Sequence, residues 1–141
     1  SSIVENKIVP MTIGGDHLVS LPILRAIAQN EPLGMVHFDS HTDLFESYFG
    51  GYKYTHGTPF RRAIEENLLD PKRVIQIGIR GTMYDGEDIA WGKAQGVTII
   101  MIEDNSCYIY ICSRTILVLV LFQRCFSFPT TDAKHLYAPC L

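Results

Sequence analysis

Val36-His37-Phe38-Asp39-Ser40-His41-Thr42-Asp43 sets two carboxylates around an imidazole at every second residue, directly after the apolar run Leu33 to Phe38. In an extended backbone, positions i, i+2 and i+4 project to one side, so Asp39, His41 and Asp43 can converge there. On a helix His41 would point away from the other two, because only i and i+4 share a face. Converging carboxylates repel one another unless a cation sits between them, and a divalent metal is the usual solution. The plainer reading is a polar loop after a buried strand. His37 has the same parity as Asp39 and reads as a hydrogen-bonded core histidine.

Outward from this stretch, β-branched runs alternate with helical patterns. Lys7 to Ile13 reads as a strand entering the turn Gly14-Gly15, and Asp16-His17 precede a helix over about Val19 to Gln29. Asp16 reads as a cap or a support for its neighbour rather than a ligand. Leu33 to Phe38 is apolar on both faces apart from His37, as in a buried parallel sheet. A loop rich in Gly and Tyr runs from Leu44 to Thr58. Thr58 then caps a helix over about Pro59 to Leu69, with Pro59 suited to its first position. Arg61, Arg62, Glu65 and Glu66 read as its solvated face. A strand over Arg73 to Ile79, a helix over Asp85 to Gln95 and a strand over Val97 to Ile102 complete the alternation. Trp91 reads as packing. This order predicts an α/β fold with a parallel sheet, in which ligands collect beyond the carboxyl ends of the strands. His17 and the Asp39 cluster both follow strands, so they belong to one site.

The chain has 141 residues, suited to one domain, and a net charge of -3, which offers no electrostatic footprint for nucleic acid. It does not begin with Met and shows no basic-then-apolar leader, so the expectation is a fragment without a signal peptide, from a cytoplasmic protein. Cys107, Cys112, Cys125 and Cys140 match neither a zinc signature nor a disulfide scaffold. Beyond Asp104 the only charged residues are Arg114, Arg124, Asp132 and Lys134. Residues 1–104 are therefore read as one domain and 105–141 as a divergent apolar tail. Cys107 to Phe122 is too short, and too charged at Arg114, for a membrane anchor. Its composition is that of an aggregation-prone segment.

Gly14-Gly15-Asp16-His17, Asp39-Ser40-His41-Thr42-Asp43 and Thr55-His56-Gly57-Thr58-Pro59-Phe60, in that order and spacing, resemble the ureohydrolase family, and within it the agmatinase and guanidinobutyrase branch. The resemblance covers about Lys7 to Ile102. It implies a three-layer α/β/α sandwich with a parallel sheet and a dinuclear manganese centre that hydrolyses guanidino compounds to urea and an amine. It further implies that His17 binds one manganese with Asp43, that His41 binds the other, and that Asp39 bridges both. His56 would move a proton to the leaving amine, a role that suits imidazole at neutral pH. A small guanidino substrate is implied, and homo-oligomers in full-length relatives.

Three departures qualify the resemblance. Ser40 replaces a common alanine. Leu44-Phe45 stands where arginases carry an asparagine that contacts the substrate's α-carboxylate, so agmatine or guanidinobutyrate is expected ahead of arginine. A later Asp-x-Asp strand with two further ligands, and a substrate-binding glutamate beyond it, have no counterpart after Asp104. The chain then carries four of six expected ligands and is expected to hold one ion or none, with impaired catalysis. The non-enzyme alternative is a catalytically dead subunit that binds full-length relatives. Metallophosphoesterases also open with Asp-x-His after a strand, but they need a Gly-Asn-His-Asp-type element that is absent here.

Overall fold

The computed structural model describes residues 5–6, 8–81 and 86–102, and the backbone of 118–122. Four strands form one sheet in the order β3-β2-β1-β4, where β1 is Leu33–Phe38, β2 is Leu69–Ile79, β3 is Thr98–Met101 and β4 is Val118–Phe122. β1, β2 and β3 are parallel neighbours, and β4 lies antiparallel on the other edge of β1. Among the described residues three helices alternate with them: α1 over Ser20–Ile27, α2 over Pro59–Glu65 and α3 over Glu87–Gln95. The strand–helix alternation in the sequence therefore builds the α/β sheet it predicts.

The sheet has two unequal faces. Leu33, Met35 and His37 of β1, Val74 and Gln76 of β2 and Ile99 of β3 are buried, and strand alternation sets them on one side. Leu21 and Leu24 of α1 and Phe60 and Ala63 of α2 join the apolar members of that face in a single core. On the opposite side Ile75 is buried, but Val36, Phe38 and Ile77 are only half-buried. The described residues thus supply the sheet and one helical layer. α3 closes down tightly at Gly92, where an added Cβ would come within 2.6 Å of Leu44 Cδ1. Among the described residues no helix is long and apolar enough to cross a membrane.

Several expectations change. Residues 8–14 form no strand, and Val9 and Ile13 are 89% and 91% exposed. Local β-propensity needs a neighbouring strand to satisfy its backbone, and both edges of β1 are taken by β2 and β4. Arg61 and Arg62 are buried rather than solvated: the Arg61 guanidinium stacks 4.5 Å over the Trp91 ring, and Arg62 donates to the Glu46 carbonyl. Glu66 leaves that helix face to form a two-pronged pair with Arg25 at 2.7 Å. Thr58 does not cap α2 through its side chain; its hydroxyl donates to the Lys53 carbonyl and accepts from the Thr55 amide. Residues 118–122, assigned to the tail, take a place in the sheet. The rest of the tail and the start of the helix expected from Asp85 lie outside the described residues.

Candidate functional site

β1 ends at Phe38, and Asp39 to Asp43 leave it in a bend rather than an extended run. Alternation therefore does not set the three side chains on one side: Asp39 and Asp43 both approach His17, and His41 nears Asp39 alone. Asp39 Oδ1 accepts from the amides of Ser40 at 2.5 Å and His41 at 3.2 Å, an Asx-type arrangement that starts the turn. Asp43 sits at φ 52, a left-handed conformation that Asp tolerates better than most residues. The amides of Arg80 and Gly81, just past β2, both donate to the Ser40 carbonyl and pin the bend to the neighbouring strand.

His17 reaches this turn from the other motif. It opens a single 3-10 turn, His17–Val19, whose entry is capped by Asp16 accepting from the Leu18 amide at 2.8 Å. His17 Nδ1 contacts Asp43 Oδ2 and lies 3.8 Å from Asp39 Oδ2. His41 Nδ1 is 4.0 Å from the other Asp39 oxygen, Oδ1. Its ring is 43% exposed, lies against Gly81, and accepts or donates through Ser40 Oγ at 2.9 Å. Asp39 thus presents one oxygen to His17 and the other to His41. His56 is placed apart: it is exposed, and its ring contacts are with Tyr48 at 5.3 Å and Phe49 at 5.7 Å.

Beneath the turn lies a polar layer of which the sequence singled out only His37, read as a hydrogen-bonded core histidine. His37 is fully buried, its Nε2 3.5 Å from Asp39 Oδ2 and its Nδ1 3.1 Å from Gln76 Nε2. Gln76, also fully buried, reaches the Thr42 carbonyl at 2.6 Å. Thr42 Oγ1 in turn donates to Asp88 Oδ2 on α3. Phe60, from the third motif, floors both imidazoles, with ring centroids 4.9 Å from His17 and 4.6 Å from His37. No local signal marks Gln76 or Asp88, whose partners lie far away in the chain. Gln76, polar within the apolar run of β2, carried the only hint; Asp88 sits among the acids Asp85 and Glu87.

Burial pushes His37 below its ordinary value of 6.5, so it stays neutral. Burial works to raise Asp39, but the donors around it, His37 and the amides of His41 and Ser40, hold its carboxyl well below the usual range. The donor set fits a cation. Two carboxylates converge on His17, whose buried Nε2 has no partner among the described residues. Donor atoms of His17, His37 and Asp39 all lie within 4.8 Å of one another.

A sequence profile of the arginase family matches residues 1–108. Guanidinopropionase of Pseudomonas aeruginosa is 58% identical over 95 residues, which make up 67% of this chain and 30% of that protein. Guanidinobutyrase of the same organism is 48% identical over 103 residues, 72% of this chain and 32% of that protein. Among solved structures, proclavaminate amidinohydrolase of Streptomyces clavuligerus matches with a TM-score of 0.59 at 39% identity, over 64% of this chain and 30% of that one. The chain spans about a third of the length of the curated relatives it matches.

Proposed function

Because the chain belongs to the arginase family, we propose that His17, Asp39, His41 and Asp43 hold manganese, and that the complete protein hydrolyses a linear guanidino compound to urea and an amine. The observation that carries this reading is the meeting of two distant motifs, with Asp39 turned to His17 through one oxygen and to His41 through the other. Mixed imidazole and carboxylate donors suit Mn²⁺. In this reading His17 and Asp43 would hold manganese from one side of Asp39 and His41 from the other. When bound, manganese would supply a water acidified towards neutrality for attack on the guanidinium carbon.

The chain's own residues orient and hold charge. Ser40 and His41 amides fix one Asp39 oxygen, and His37 faces the other. His56, which stands apart from the ligands beside Tyr48 and Phe49, is the group we assign to proton delivery at the leaving amine, on the strength of the third motif. Two relatives are named for guanidino acids, and Leu44-Phe45 offers no carboxylate partner of the arginase kind. Guanidinopropionate, guanidinobutyrate or agmatine should therefore outrank arginine.

For the 141-residue chain itself we infer one weakly held Mn²⁺ and no urea release. The strand beside β1 is Val118-Leu119-Val120-Leu121-Phe122 and brings no acid to the site. That strand also favours the second reading, a catalytically silent partner of full-length relatives. The test is Mn²⁺ titration followed by electron paramagnetic resonance, with a parallel urea assay. One ion per chain in the wild type and none in Asp39→Asn is the expected result. No uptake by the wild type, or uptake unchanged by Asp39→Asn, overturns the ligand set. Urea release by the chain alone overturns its silence, and faster release from arginine by a full-length relative carrying these motifs overturns the substrate order.

A further inference from the structure

His17, His37 and Asp39 lie close enough to form a metal triad, and proximity alone would make His37 a ligand. Gln76 argues otherwise. Its side-chain nitrogen sits 2.6 Å from the Thr42 carbonyl oxygen. A carbonyl oxygen only accepts, so the NH₂ end of the amide must face it; the opposite orientation would set two oxygens at that distance. The same nitrogen then has one N–H left, and His37 Nδ1 lies 3.1 Å away to receive it. An imidazole that accepts at Nδ1 carries its proton on Nε2. A doubly protonated ring would bring two donors face to face. His37 Nε2–H then has Asp39 Oδ2 as its neighbouring acceptor, 3.5 Å away, too long for a formed hydrogen bond, and Nε2 has no other partner among the described residues.

We propose that Gln76 is a positioning residue: held by the Thr42 carbonyl, it fixes His37 as the Nε2–H tautomer, which presents its proton to Asp39 and is thereby kept out of metal coordination. Its metal-related part rests on the reading above. With Ser40 and His41 amides on Oδ1 and His37 facing Oδ2, both oxygens of Asp39 are flanked before any cation arrives. Such outer contacts to ligating groups typically carry about 10–100-fold in metal affinity. The register agrees, since His37 and Gln76 are direct partners across β1 and β2.

The test begins on the metal-free wild-type chain, with two-bond ¹H–¹⁵N correlation of its histidine side chains. His37 should show a protonated Nε2 and a bare Nδ1. In Gln76→Leu, which removes the donor, His37 should become a mixture of tautomers. Mn²⁺ affinity, read by electron paramagnetic resonance, should fall about 10–100-fold. Gln76→Glu offers only an acceptor and should move the proton to Nδ1. A wild-type His37 protonated at Nδ1 overturns the proposal, and so does a Gln76→Leu variant with wild-type tautomer and affinity. Should the variants fail to fold, the wild-type spectrum still decides. A wild-type chain that keeps the Nε2–H tautomer yet takes up no Mn²⁺ refutes the metal reading while upholding the hydrogen-bond relay.

Discussion

Replacing Thr42 by valine keeps the side chain's shape and removes only its hydroxyl, so it tests the contact that pins the Asp39–Asp43 bend to α3. Thr42 and Asp88 are 0% and 1% exposed. Asp88 Oδ2 accepts from the Thr42 hydroxyl, and Asp88 Oδ1 has no partner among the described residues. Valine at this position therefore strands a buried carboxyl with neither oxygen bonded. Hydrogen bonds to charged groups contribute about 1.5–3 kcal/mol, and a stranded buried group costs about as much as the bond it lost. Shape is preserved, so no cavity is added, and Thr42→Val should cost about 2–3 kcal/mol. For a chain of this size that is a fall of about 6–15 °C in Tm. The assay is urea denaturation of the wild type, Thr42→Val, Asp88→Ala and the double variant. The Leu44 amide loses its Thr42 Oγ1 acceptor in both Thr42 variants, so that loss cancels from the cycle; removing both partners strands no carboxyl, and the double variant should be more stable than the two single losses predict, by about 1.5–3 kcal/mol. Additivity to within about 0.5 kcal/mol would show that the contact carries no weight.

Gly81→Ala places a Cβ 2.9 Å from His41 Nε2; the ring can swing into solvent, so stability should change by less than about 1 kcal/mol while Mn²⁺ affinity falls about tenfold or more, and equal affinity would remove His41 from the ligand set. The Arg25 hydrogen bonds hold Glu66 below the usual glutamate range, so the stability they give is complete above about pH 4.3 and lost as pH falls through the lowered value. Both side chains are substantially exposed, so Glu66→Gln should cost no more than about 1 kcal/mol at neutral pH, and a difference from wild type that persists at pH 2 would refute the pairing. Deleting residues 105–141 removes β4 and leaves the β1 edge unpaired; the shortened chain should unfold at lower urea and scatter more light, where the composition of the tail alone suggests the reverse.

Leu33 to Phe38 was legible to the residue because six apolar-rich positions between turn signals leave little choice, and the observed β1 has those bounds. Helix α2 was legible at its start through Pro59 but ends at Glu65 instead of Leu69, which opens β2, and α3 ends at Gln95 as read, where Gly96 takes a left-handed conformation at φ 104. Lys7 to Ile13 misled because strand propensity is local while pairing is not. Asp39, His41 and Asp43 were singled out by a spacing rule for extended chain, yet the chain bends there on Asp39's own backbone contacts, and it is His17 that joins Asp39 to Asp43. Gln76 and Asp88 were invisible because their chemistry exists only once β2 and α3 are packed.

The pairing of β4 with β1 has a consequence in time. Some 80 residues separate Phe38 from its partner Val118. At ribosomal rates of about 5–20 residues per second, β1 emerges about 4–16 s before the strand that covers its edge exists. During that interval β2 can satisfy one flank, but the other presents bare N–H and C=O groups to any neighbouring nascent chain. Slower translation between the two strands lengthens the exposure, so codon choice over residues 39–117 becomes a determinant of how much of this protein survives as monomer.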